Sequence, residues 1–225
     1  MCGLFSLSHS SKEVGTYFDY GDEAQFPPRE YVAPGQAIAI VRARENTNPG
    51  MREFALVRWG FVPGWAKEIK PGKPLINARA ETITEKPSFR HAVRRRRCLV
   101  PASGFYEWQG DVPGKKTTYY VPRANGGLIG LAGIWEHWMG PDGSELETAA
   151  IITTAANETL GRIHHRMPVV IRQKDFSTWL TPEETDLSEV SALMVSAPED
   201  FFAPEPTEIK RPAKPKPPKP QLDLF

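Results

Sequence analysis

The residue able to carry the most chemistry in this sequence is Cys2. Removal of Met1, which the small Cys side chain permits, leaves residue 2 with a thiol and a free α-amine on neighbouring carbons. Their unperturbed pKa values, about 8.5 and about 7.7–8.0, both lie close to neutral pH. Such a 1,2-aminothiol can trap an aldehyde twice: the amine forms an imine, then the sulfur closes a five-membered thiazolidine ring. Taken alone, a Cys at position 2 reads first as a small apolar residue of an opening strand.

Three further groups could act with it. Asn77 and Arg79 lie in Pro74-Leu75-Ile76-Asn77-Ala78-Arg79-Ala80-Glu81, where their offset of two lets both share one face of an extended segment. Glu107 sits in Gly104-Phe105-Tyr106-Glu107-Trp108, flanked by aromatics. Desolvation there raises a carboxyl pKa and suits general acid–base work, although strand alternation equally allows Glu107 to face solvent. His164, in Ile163-His164-His165-Arg166-Met167-Pro168, is either a proton shuttle or a hydrogen-bonded structural residue. On a strand, His164 and His165 point to opposite faces, a poor arrangement for one metal. With no metal-ligand cluster and no Gly-rich phosphate loop, neither metal nor cofactor is expected.

These residues need a scaffold, and the pattern supplies one. Gly3–Leu7 reads as a first strand, and Ser10-Ser11-Lys12-Glu13 as a capping box opening a helix to about Tyr20. Ala33-Pro34-Gly35 is a turn into a strand over Ala37–Arg42, and Glu53–Trp59 is another strand. A helix is predicted over Ser88–Arg95. Strands follow over Cys98–Val100, Gly104–Trp108, Thr117–Val121, Leu128–Trp135, Ala149–Thr154 and Arg166–Ile171. A helix over Lys174–Leu180 and a strand over Ala192–Ser196 complete the series. Hairpin-linked strands with segregated helices predict an α+β fold: one β-rich domain of antiparallel, barrel-like sheet with peripheral helices, followed by a disordered tail.

The chain has 225 residues, six Trp, two Cys and a net charge of +1. That is one full-sized domain plus an appendage. Two cysteines make no disulfide framework, no apolar run reaches the length of a membrane span, and a monomer in a reducing, cytoplasmic compartment is expected. Seven of the 22 prolines fall within Pro204–Pro220, which reads as a Pro/Lys-rich tether after a body of residues 1–203. Five of the 28 basic residues and one of the 27 acidic ones lie in 209–225, which carries +4 and leaves −3 for residues 1–208. The body is not a polycation. The tether ends in Gln221-Leu222-Asp223-Leu224-Phe225, whose apolar side chains have no shelter. This pentapeptide (221–225) resembles the bacterial sliding-clamp-binding motif, with Gln221, Leu222, Leu224 and Phe225 as its anchors.

Several blocks occur in an order shared with one family. They are Met1-Cys2-Gly3, Ala33-Pro34-Gly35-Gln36, Trp59-Gly60, Pro63-Gly64-Trp65-Ala66 and Ile76–Thr82, then Arg97–Trp108, Ala132-Gly133-Ile134-Trp135 and His164–Val169. The set resembles the SOS-response-associated peptidase family, whose members shield abasic sites in single-stranded DNA. The resemblance implies a β-rich fold with a DNA groove ending at the N-terminal Cys. It makes Cys2 the nucleophile and Asn77, Glu107 and His164 its partners. It also implies Thr153 and Arg166 as DNA contacts. Arg79 suits a phosphate beside the damaged sugar, and Trp65 either wedges against a base or fills a core. Leu4 and Tyr31 depart from the family pattern, which has Arg and Asn there. The run Arg94-Arg95-Arg96-Arg97 reads as a solvated basic edge.

Three functional readings remain open from the sequence. The first is a protein that crosslinks to abasic sites through Cys2, with attendant lyase activity. The second is a thiol peptidase that cleaves its own Met1–Cys2 bond, which the first reading can include. The third is a noncatalytic adaptor binding single strands and the clamp. Only the first demands that adduct formation depend on an aldehyde.

Overall fold

The structure, a computed structural model, describes residues 2–21, 25–44, 50–69, 72, 74–110, 112, 115–181 and 186–209. The chain opens with β1 (Phe5–Leu7), α1 (Ser11–Phe18), β2 (Arg29–Val32), β3 (Ala37–Ala43), β4 (Arg52–Trp59) and β5 (Asn77–Arg79). Next come α2 (Ala92–Arg95), β6 (Arg97–Ala102), β7 (Gly104–Gln109), β8 (Thr117–Pro122), β9 (Ile129–Met139) and β10 (Glu145–Ala155). The last are α3 (Glu158–Gly161), β11 (Arg166–Pro168), β12 (Val170–Ile171), α4 (Phe176–Leu180), α5 (Leu187–Leu193) and β13 (Glu205–Pro206).

Five strands close on themselves. β3 pairs with β4 and β6, β6 with β9, and β9 with β10, all antiparallel. β10 then returns to β4 in parallel, through Thr148 opposite Arg58 and Ala149 opposite Trp59, which seals the barrel. Alternate residues point inward: Ile38 and Ile40, Val57 and Trp59, Cys98 and Val100, Ile129 and Leu131, Ala149 and Ile151 share one buried cluster. The intervening residues Ala39, Val41, Leu99, Ala132, Ile134, Ala150 and Ile152 belong to a second cluster, with Phe18, Val93, Phe176, Trp179 and Val190 of the helices. Strands covered on both faces lose the apolar–polar alternation and read as continuous apolar runs. That is why β6, β9 and β10 are so apolar. A side chain at Gly133 would meet the Cys98 sulfur at 2.8 Å, so the crossing of β6 over β9 is drawn tight.

A second sheet, in the order β13-β8-β7-β1-β2, lays Phe5, Val32, Phe105 and Val121 onto the barrel's interior cluster. The other end of the interior carries Arg42, which pairs with Glu53 and Glu147 at 2.6 Å each and lies 4.1 Å over the Trp135 ring. The β-rich domain with peripheral helices is as the sequence predicts. No helix among the described residues is long and apolar enough to cross a membrane.

The capping box forms as expected: the Glu13 N–H donates to the Ser10 hydroxyl, the Ser10 N–H donates to the Glu13 carboxylate, and α1 ends at Asp19 in the left-handed region. Gly35, at φ +85°, completes the Ala33–Gln36 turn. Other expectations change. Ala192–Ser196 is no strand: it holds the end of α5, because Val190 and Met194, four apart, both turn to the helix-side core. The segment Arg166–Ile171 splits at buried Val169, sending β11 to β10 and β12 to β9. The helix over Ser88–Arg95 shortens to α2. Arg97 does not join a solvated edge. It is buried, donates to the carbonyls of Val93, Arg94 and Trp179, and is pulled by desolvation down to about 10. The stretch read as a tether also begins inside the fold, since Glu205–Pro206 adds β13 to β8. The Thr207 N–H still donates to the Thr118 carbonyl, and residues 210–225, with Gln221–Phe225, lie outside the described residues.

Candidate active site

Three strands and one turn deliver the four residues. β1 is zipped to β7 with Phe5 opposite Phe105 and Ser6 opposite Gly104, and the Tyr106 N–H donates to the Leu4 carbonyl. Continuing that register sets Gly3 opposite Glu107 and brings Cys2 alongside it. β5 is short, and its position comes from its neighbours. Asn77 pairs with Ile151, and the Trp59 indole N–H donates to the Ile76 carbonyl at 3.0 Å. Ala78 is buried in the helix-side core, so Asn77 and Arg79 share the opposite face. There the Asn77 side-chain amide donates to the Cys2 carbonyl at 3.0 Å. The Asn77 Oδ1 atom is buried with no hydrogen-bond partner among the described residues.

His164 stands at the end of a turn pinned from both sides. Asn157 caps α3 by accepting the Leu160 N–H at 3.0 Å, and its amide donates to the carbonyls of Ala197 and Pro198. Glu199 accepts the N–H groups of Glu158 and Thr159 at 3.0 and 2.9 Å. The His164 N–H then donates to the Leu160 carbonyl. His164 Nδ1 is held by the backbone of Arg166, 2.9 Å from its N–H and 3.2 Å from its carbonyl, which fixes the orientation of the ring. The two histidines precede β11, and their rings stack at 4.3 Å instead of pointing apart. The reason is local: neither residue has strand geometry.

Electrostatics ties the set together. Cys2 is fully buried, and desolvation pushes its thiol well up, with the Glu107 carboxylate pushing the same way. Burial lowers the His164 imidazole, while Glu107 opposes that shift. Glu107 is itself buried, so strand alternation turns it inward, not toward solvent. One carboxylate thus acts on both the thiol and the imidazole. Cys2, Asn77, Glu107 and His164 converge on a site able to hold a nucleophile, orient it and move protons beside it.

The DNA-contact candidates divide. Arg79 is exposed, and Trp65, 68% exposed, is no core residue; its indole N–H reaches the Pro87 carbonyl at 3.4 Å. Thr153 is buried, with its carbonyl accepting from Arg166 at 2.6 Å. Arg166 is engaged by Glu81 through both terminal nitrogens. Leu4 and Tyr31 border one another's neighbours on the second sheet, where the Tyr31, Tyr106 and Tyr120 rings form a row. The sequence reading missed Glu81, Asn157 and Glu199. Glu81 lay within a quoted block, and Asn157-Glu158 is an N-cap pattern that could have marked the turn before His164.

The sequence aligns with abasic site processing protein YoqW of Bacillus subtilis at 38% identity over 198 residues, 86% of each chain. It aligns with abasic site processing protein HMCES of Gallus gallus at 33% identity, covering 83% of this chain and 64% of that one. A crystal structure of a Bacteroides thetaiotaomicron protein superposes with a TM-score of 0.82 at 26% identity, covering 92% of both chains. The profile of the SOS response associated peptidase (SRAP) family matches residues 1–208, and the chain belongs to that family.

Proposed function

We propose that this protein processes abasic sites in single-stranded DNA by capturing the ring-opened deoxyribose aldehyde on Cys2 after removal of Met1. The α-amine adds to the aldehyde carbon, and loss of water gives an imine. The Cys2 sulfur then adds to the imine carbon while its proton passes to the imine nitrogen. The product is a thiazolidine crosslink, with no oxidant or reductant required. Asn77 orients residue 2 through its carbonyl. Glu107 assists sugar ring opening, and neutral His164 moves protons during imine formation and reversal. An imine left without ring closure permits β-elimination, the source of a weak lyase activity. Removal of Met1, whether by the same thiol or by a cellular enzyme, is distinguished by intact mass of wild type and Cys2→Ser.

What supports the reading is the hydrogen bond from Asn77 to the Cys2 carbonyl beside a carboxylate that acts on both the Cys2 thiol and His164. The names of the relatives point to the same substrate. The test is denaturing electrophoresis after mixing the protein with abasic single-stranded, abasic duplex or undamaged single-stranded DNA. A heat-stable adduct is expected with the abasic single strand and lost in Cys2→Ala. An adduct that survives Cys2→Ala overturns the ring chemistry, and salt-dissociable binding alone returns the protein to an adaptor role. The partner proposal is that Gln221, Leu222, Leu224 and Phe225 bind a bacterial sliding clamp.

A further inference from the structure

Two arginines flank Thr153, and only one is open. Arg79 is in register with Thr153 across the β5–β10 seam, is exposed, and its side chain has no ion pair among the described residues. Arg166 points its guanidinium at the same strand but is already occupied. Its Nη1 and Nη2 donate to the two carboxylate oxygens of Glu81 at 2.6 and 2.9 Å, and Nη2 also donates to the Thr153 carbonyl. Its side chain is 10% exposed, against 48% for Glu81. The Arg166 Nε atom is buried with no hydrogen-bond partner among the described residues. The fork is therefore filled by a carboxylate that has room to leave, while the guanidinium that would remain has one donor still unsatisfied.

A carboxylate and a phosphate present the same pair of oxygens to a guanidinium. We propose that Glu81 is a phosphate stand-in: it holds Arg166 in place until a backbone phosphate of the single strand displaces it, and so determines which strands Arg166 engages. The inference rests on the single-strand reading above. While paired, Arg166 adds little to long-range attraction, so passing undamaged strands meet Arg79 and not a double cation. A phosphate that reaches Arg166 exchanges with Glu81, and the freed carboxylate takes up a counterion. That contact then contributes little to salt dependence. Glu81 sits on the turn Ala80–Thr82 directly after β5, the strand that carries Asn77. Its displacement is thus coupled in space to the site and not to a remote surface.

The test is binding of undamaged oligo(dT), followed by fluorescence anisotropy between about 50 and 200 mM salt. In Glu81→Gln the affinity at low salt is expected to rise several-fold, and the log–log salt slope to steepen by about 0.7, the value of one added phosphate contact. Glu81→Asp keeps the charge and is expected to keep the shallow slope. In an Arg166→Ala background, Glu81→Gln is expected to change neither quantity. An unchanged slope or weaker binding in Glu81→Gln overturns the stand-in role, as does a steepened slope in Glu81→Asp. If wild type shows no salt-dependent binding to the oligonucleotide, the single-strand reading falls and takes this inference with it. Abasic crosslinking, measured separately, fails independently of either.

Discussion

His164 is half-buried between opposing influences: desolvation disfavours its charged form, while the nearby Glu107 carboxylate favours it. Desolvation wins, so the folded-state pKa lies below the usual histidine value of about 6.5. The neutral, proton-accepting ring therefore predominates at pH 7 and is lost only as pH falls through the lowered value. NMR titration of the His164 ring is expected to give a midpoint below about 6.5, and Glu107→Gln to move it lower still, because that change removes the opposing charge. A midpoint that rises in Glu107→Gln contradicts the assigned proximity. The motifs named His164 and Glu107 but left each with two readings. The inward turn of β7 settled Glu107, and the ties of the α3 turn to Ala197 and Pro198 settled His164; both depend on partners distant in sequence. Arg166 shows the converse: its block marked it as a DNA contact, but its pairing with Glu81 spans 85 positions and leaves no local signature.

At the scale of elements, what was legible followed length and period. β3, β4, β9 and β10 are long, and α1 announces itself with its capping box. The elements that build the site are the short ones. β5 has three residues and α3 four, too few for any periodicity, and both are held by partners distant in sequence. The α3 turn illustrates the consequence. Asn157 closes it at one end, bonds the segment after α5 at the other, and delivers His164 seven residues on. Loss of an N-cap costs about 0.5–2 kcal/mol, which in a chain of this size lowers Tm by a few degrees. Asn157→Ala is expected to do this and also to cut the rate of adduct formation more than several-fold, since the turn that aims His164 slackens. Asn157→Asp keeps the acceptor for the Leu160 N–H but sets a carboxylate oxygen against the carbonyls of Ala197 and Pro198, and is expected to recover none of the lost stability. Thermal unfolding with crosslinking time courses on the two variants checks both statements. Equal rates in wild type and Asn157→Ala would detach the turn from the chemistry.

For the whole molecule, charge and connectivity separate two tasks. Residues 1–208 carry a net −3 and residues 209–225 carry +4, so general attraction of the body to DNA has to come from local cations such as Arg79. β13 ties the start of the Pro/Lys-rich stretch to β8, which neighbours the Glu107 strand β7. At about 4.8 Å per strand spacing, β13 lies roughly 10 Å from β7. A clamp bound to Gln221–Phe225 would therefore hold the site near replicating DNA without a new contact to the body, raising its local concentration by tethering alone. Tethering of this kind changes encounter and leaves the chemical step alone. Deleting Gln221–Phe225 is expected to abolish binding to a purified bacterial clamp while leaving the rate of adduct formation with free abasic oligonucleotide unchanged. Adding clamp-loaded primed DNA should then speed capture by the full chain and not by the truncated one. Equal clamp affinity of the two chains would remove the tether from the proposal, and a slower reaction of the truncated chain on free oligonucleotide would mean that these five residues act on the site itself.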